Sequence, residues 1–325
     1  MTPTRRDFLK YSTSAMVAAL LAKNPTLSAQ IDEIISQPPQ KEMPKRPLGE
    51  TGIDLSIIIM SGILLRHIDQ KAADKVVADS IEAGINYFDT AVNYGDSEEK
   101  LGPALKPYRE EVFLATKTGR RSARGAKEEL DNSLKRLKTS HLDLYQLHSL
   151  SDVERDVKAA LSKDGAIQPI LEAQKAGVIR YIGFSAHSPE AALYAMRNFD
   201  FDTILYPVNF TCHYQGNFDQ EVLEEARNRN VNILAIKAMA KQRWQSNGNR
   251  QRWQTWYEPI VEPELAKMAL SWTLFHSDVI AAAPPGNEKL YRLAMAIAPE
   301  CQKLNEKKNE ELKELSAELH PLFTA

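Results

Sequence analysis

The chain has 325 residues, 43% of them hydrophobic and 26% charged, with a formal net charge of −2. This is the composition of a globular chain with a sizeable core, and it carries no large field to gather nucleic acid or anionic lipid. Its two cysteines, Cys212 and Cys301, form no C-x-x-C pair, which excludes zinc ribbons and cysteine-ligated iron–sulfur clusters and leaves at most one disulfide.

The first feature in chain order is "TRRDFLK", Thr4 to Lys10, followed by a small apolar run from Ala15 to Ala22. That run is shorter than the about 20 residues that cross a bilayer as a helix. It fits the apolar region of a signal peptide behind a basic start, so no stable membrane span is expected after processing. Arg5 and Arg6 before Phe8, Leu9 and Lys10 resemble a twin-arginine translocation signal. The resemblance implies the twin-arginine translocation machinery as a partner and a periplasmic or otherwise exported location. Residues 1–29 are the expected leader, with cleavage after Ala29. Residues 30–43, polar and proline-bearing, read as a linker.

From Met43 onward short apolar runs alternate with amphipathic ones. "KRPLGETGIDLS", with Gly49 and Gly52, predicts a small hairpin covering a barrel bottom. "LSIIIMSG" is a first strand, and "QKAADKVVADSIEAG" a helix with apolar residues spaced by three and four. "INYFDTA", "EVFLATK", "LDLYQLH", "VIRYIGFSAH", "FDTILYPVNF", "VNILAIKAM" and "DVIAAAPPG" are the later strands, each followed by a helical pattern. Eight strands alternating with eight helices, within about 250 residues, predict a closed (β/α)₈ barrel of α/β class over residues 44–299. An open doubly wound sheet would carry G-x-G-x-x-G after its first strand, and "SGILLR" is no such loop. Residues 300–325 form a charged helical extension with one stripe packed on the barrel.

Working residues of such barrels stand at the C-terminal ends of strands. That rule selects Asp89 and, five residues on, Tyr94 after the second strand. It also selects Lys117 on the third strand and His148 on the fourth. Each alone reads as easily as a turn former, a packed ring or a surface charge. Together they make a coherent set. A phenol is too weakly acidic to give up its proton readily at neutral pH, a nearby ammonium lowers its pKa, and a buried lysine needs a carboxylate. An imidazole can orient a carbonyl.

"FDTAVNYGDSEEKLG", "FLATK", "LDLYQLH" and "VIRYIGFS" resemble the aldo/keto reductase family in order and spacing, and the resemblance runs from Lys45 to about Pro299. It implies a (β/α)₈ barrel and an oxidoreductase moving hydride between NADP or NAD and a carbonyl or alcohol (an aldehyde, ketone or sugar). It also implies a tetrad of Asp89, Tyr94, Lys117 and His148, with Tyr94 the general acid. Of the implied cofactor-binding residues, Ser185 and Gly286 are in place. Lys237 stands where many members have a serine but resembles the lysine of the family's iron–sulfur branch, whose cysteines this chain lacks, which implies a contact to the cofactor phosphates. Asn287 stands where the family has a serine or arginine, with Lys289 and Arg292 as substitutes for the adenosine phosphate. Ala186, Leu205 and Ile236 replace the family's asparagine, glutamine and tyrosine around the nicotinamide, which implies atypical binding or preference.

No metal site is expected among these residues. His67, His187 and His213 read as substrate-loop or packing residues, and two alternatives stay open: a metal-dependent hydrolase on the same barrel, and a non-catalytic ligand-binding protein. Trp244, Trp253 and Trp256 after the seventh strand read equally as loop anchors or as a lid.

Overall fold

The computed structural model describes residues 26–37, 41–245, 248 and 250–325. The twin-arginine stretch and its apolar run lie outside the described residues. No helix among the described residues is long and apolar enough to cross a membrane.

The chain enters through a hairpin, β1 (Lys45–Pro47) against β2 (Asp54–Ser56), paired antiparallel. An eight-stranded parallel sheet follows. Its members are β3 (Met60–Ser61), β4 (Tyr87–Asp89), β5 (Phe113–Thr118), β6 (Leu142–Leu150), β7 (Ile179–Ala186), β8 (Thr203–Pro207) and β9 (Asn232–Ile236), and it ends on β12 (Val279–Ala283). A second small hairpin, β10 (Ala240–Gln242) with β11 (Glu258–Pro259), stands in the loop after β9. The barrel closes where Ile58 bridges Ala282, with the Ile59 amide donating to Ala282 at 3.0 Å and the Ala282 amide to Ile57 at 2.9 Å.

The side-chain period of two sorts each strand. Ile59, Tyr87, Phe113, Leu144, Leu205, Leu234 and Ile280 turn inward and meet Leu48 and Leu55 of the first hairpin in one buried cluster, which plugs the bottom. The outward set packs against the helices in the larger core. The helices begin where the sequence supplies caps: Asp69 accepts from the Ala72 amide, Ser122 from Gly125, Ser188 from Ala191 and Asn287 from Leu290.

Three boundaries differ from expectation. The proposed linker 30–43 opens as part of a helix, Thr26–Ser36, lying against the helix Glu288–Ile297. Ile31, Ile34 and Ile35, at helical spacing, give it an apolar stripe, and Ile31 is fully buried. The expected first strand is split, because its start pairs with the hairpin and only its end joins the barrel. The sixth strand stops at Pro207, and Asn209 then caps a short helix, Phe210–Gly216, by accepting from the Thr211 and Cys212 amides. Both cysteines are free thiols. The charged C-terminal helix is Glu306–Ser316, with Leu312 and Leu315 buried.

Candidate active site

Asp89, Lys117 and His148 lie on three adjacent strands and point inward. Register sets Asp89 beside Ala115, and Lys117 beside Gln146. Lys117 is wholly buried. Its Nζ donates to Asp89 Oδ2 at 2.5 Å and to the Thr90 carbonyl at 2.7 Å. Burial works against that ammonium, but Asp89 and Tyr94 outweigh it and hold its pKa above the ordinary lysine value. The other carboxylate oxygen of Asp89 accepts from Gln146 Nε2 at 2.8 Å. Gln146 was not singled out from the sequence. The signal was there, since it sits two residues before His148 on one strand and so faces the same way.

Tyr94 comes from the loop after β4, where its amide donates to the Ala91 carbonyl at 3.0 Å and Gly95 follows with a φ of 62°. This turn lays the phenol ring over the barrel mouth, with Lys117 Nζ 5.1 Å from its centroid. The His148 ring meets it edge-on at 5.8 Å. From the sequence, Lys117 is expected to bring the phenol below its ordinary pKa. Lys117 does pull that way, as does Arg66, but burial is the largest influence and Asp89 adds to it, so the phenol is held above 10. His148 is driven down to about 3, first by burial and then by Lys117, His187, Arg121 and Lys237. The site therefore presents a neutral imidazole beside a protonated phenol and a buried ammonium.

Beside this group opens a cavity of about 510 Å³ that reaches Asp89 and Tyr94 on one side and Ile236, Lys237, Gly286 and Asn287 on the other. A Cβ on Gly286 would stand 2.5 Å from Ile63, so only glycine fits there. Leu205 and Ile236 make part of the wall apolar. Lys237, at a φ of 69°, is held in a left-handed conformation. Its Nζ stands 5.2 Å from the Trp256 ring centroid and 5.4 Å from that of Tyr257. It has no carboxylate partner among the described residues. Burial, and then the Lys117 charge, lower its pKa to about 8. Arg66, also missed from the sequence, lines the cavity with its Nε buried and lacking a hydrogen-bond partner. Two cations facing one cavity suit an anionic group.

The other expected contacts are differently employed. Ser185 Oγ accepts from the Ser149 amide at 2.8 Å, leaving its hydroxyl proton to give. Asn287 lines the cavity while capping its helix. Lys289 is bound to Ser28 Oγ and to Asp32 Oδ1, each at 2.6 Å. Arg292 pairs with Asp79 at 2.8 Å and with Glu288 at 2.9 Å. Both substitutes for a phosphate contact are thus engaged by acidic and hydroxyl neighbours, two of them on the helix read as leader and linker. Of the three tryptophans after β9, Trp256 lines the cavity, whereas Trp244 donates to the Thr255 carbonyl at 2.8 Å and Trp253 packs on the core, as anchors. His67 lines the cavity; His187 is half-buried, and its pKa is drawn down to about 4 by desolvation and by Lys237. His213 is elsewhere, paired with Asp219.

Comparison with known proteins bears on the family and the fold. The model of the aldo/keto reductase family matches residues 60–317. The uncharacterized oxidoreductase YqkF of Bacillus subtilis is 36% identical over 161 residues, 45% of this chain and 50% of that protein. The aldo-keto reductase YhdN of the same organism is 31% identical over 216 residues, 60% of this chain and 61% of that one. The chain thus spans between half and two thirds of the length of these curated relatives. Among solved structures, aldo-keto reductase AKR11C1 from Bacillus halodurans in its holo form superposes with a TM-score of 0.67 at 23% identity, covering 84% of this chain and 96% of that one, a likeness of fold. With that match over most of its length, the chain belongs to the aldo/keto reductase family.

Proposed function

We propose that the protein is an oxidoreductase that moves a hydride between a nicotinamide dinucleotide, NADP(H) or NAD(H), and a small carbonyl or alcohol substrate. The observation that carries this reading is the convergence of Tyr94, the Lys117–Asp89 pair and neutral His148 beside a cavity walled by unpaired cations. A bound nicotinamide supplies the hydride. Tyr94 gives its phenolic proton to the carbonyl oxygen, and the Lys117 ammonium stabilises the tyrosinate that forms. Asp89 and the Thr90 carbonyl fix that ammonium, Asp89 keeps it charged, and Gln146 holds Asp89 in turn. His148, uncharged, offers a ring N–H to the same oxygen and orients the substrate. Lys237 would hold the dinucleotide phosphates, and Gly286, Asn287 and the remaining hydroxyl proton of Ser185 would complete the cradle; their positions at or beside the cavity support this.

The test is titration of the purified chain with NADPH and NADH, followed by nicotinamide fluorescence. Tight binding of one or both is expected. Absence of binding at millimolar concentration of either would sink the reading.

Residues 1–29 are read as a leader of the twin-arginine route, and the protein as periplasmic or otherwise exported. Arg5, Arg6 and the apolar run support this. Cleavage after Ala29 would cut the helix Thr26–Ser36 and remove the Ser28 contact to Lys289. Replacing both arginines by lysine and fractionating the cells tests the proposal; unchanged distribution of the doubly substituted chain would refute it.

A further inference from the structure

Apart from the tetrad's cavity, three residues from separate segments converge. His213 lies in the short helix after β8, Asp219 at the start of the helix Gln220–Asn228, and His276 just past the helix Pro263–Leu274. One ligand atom from each lies within 4.8 Å of the others. His213 Nδ1 stands 2.8 Å from Asp219 Oδ1. His276 Nε2 is 3.7 Å from the other carboxylate oxygen.

The carboxylate is the informative group. Asp219 has no exposed side-chain surface, and its Oδ2 has no hydrogen-bond partner. An anionic oxygen buried without a partner is costly. The gap to His276 is too long for a hydrogen bond. It is close to the roughly 3.3 Å that two ligand atoms keep across a tetrahedral zinc ion with bonds near 2.0–2.1 Å. The imidazoles are held by aromatic neighbours: the His276 ring stacks on Trp272 at 4.3 Å, and His213 meets His276 edge-on at 4.7 Å. A cavity of about 350 Å³, lined by both histidines, adjoins the group and gives an ion a way in.

We infer that His213, Asp219 and His276 bind one divalent transition-metal ion, of the zinc type, as a clip joining three segments of the barrel's outer wall. Two imidazoles and a carboxylate are borderline donors that suit zinc and leave a further position open to solvent. A separate reading assigns the hydride chemistry to the barrel mouth, and this one does not depend on it: none of the three residues lines that cavity.

The test is calorimetric titration of the full chain, stripped with chelator, with Zn²⁺ alone. One equivalent per chain is expected, with a metal-dependent rise in Tm. His213→Gln and His276→Gln should each weaken binding at least about tenfold and abolish the rise. These side chains are 17% and 23% exposed, so both variants are expected to keep the fold, to be checked by their metal-free unfolding midpoints. Co²⁺ in place of zinc should give visible d–d bands in the unsubstituted chain and lose them in both variants. Absence of stoichiometric binding, or binding unchanged in the two variants together, would overturn the inference.

Discussion

The two sides of the barrel mouth are built on opposite principles. On the side of β4 to β6, every charge is answered: Lys117 by Asp89 and the Thr90 carbonyl, and Asp89 by Lys117 and Gln146. On the side of β9 and the loop after β3, Lys237 and Arg66 face a cavity with no carboxylate partner among the described residues. A satisfied buried network holds one geometry, whereas an unanswered cation favours whatever anion enters. The difference separates the groups proposed to do chemistry from those proposed to bind.

Substitutions on each side should therefore fail in different ways. The largest effect is expected from Tyr94→Phe, which removes the proposed proton donor. Its kcat should fall by about 10²–10⁴-fold, with the unfolding midpoint and dinucleotide affinity little changed. Turnover near that of the unsubstituted chain would take the acid role away from Tyr94. Asp89→Asn strands a buried ammonium and should lose about 3–5 kcal/mol of stability, read from urea unfolding, together with activity. A merely binding role for Asp89 would leave stability intact.

On the other side, Lys237→Met should weaken the dinucleotide by about 1.5–3 kcal/mol, with the unfolding midpoint unchanged. The pH dependence has a definite sign. Lys237 is protonated below about 8 and neutral above it, so in the unsubstituted chain affinity should be full at low pH and fall as pH rises past about 8. In Lys237→Met that fall should be absent. The smallest expectation is a flat line. His148 titrates near 3, so kcat/KM should show no ionisation near 6.5 arising from it. A step there that disappears in His148→Gln would show the ring to be charged in the working enzyme.

The strand order and the tetrad positions were legible because both follow from local signals. Inward positions recur at a period of two, and polar residues at strand ends mark the mouth. What was misread depended on distant partners. Residues 30–43 looked like linker because they are polar and carry Pro38 and Pro39, although Ile31, Ile34 and Ile35 already carried a helical stripe. Lys289 and Arg292 looked available because nothing near them in sequence shows that Ser28, Asp32 and Asp79 reach them. The phenol of Tyr94 was expected to be acidified, since spacing reveals a neighbouring ammonium but not the burial that outweighs it.

The sequence by itself thus determined the repeating strand–helix order, the caps that begin the helices and the identity of the residues at the mouth. Each depends on contacts a few residues long or on a strict period. Only the tertiary structure decided which charges are answered. Lys117 and Lys237 are both lysines at the ends of apolar strands, yet one meets a carboxylate at 2.5 Å and the other two aromatic rings. The same holds for His213, Asp219 and His276, which span more than sixty positions and form a site only because the wall helices fold back on each other. Electrostatic partnership acts through space and is set by burial, and neither is written in the spacing of residues along the chain.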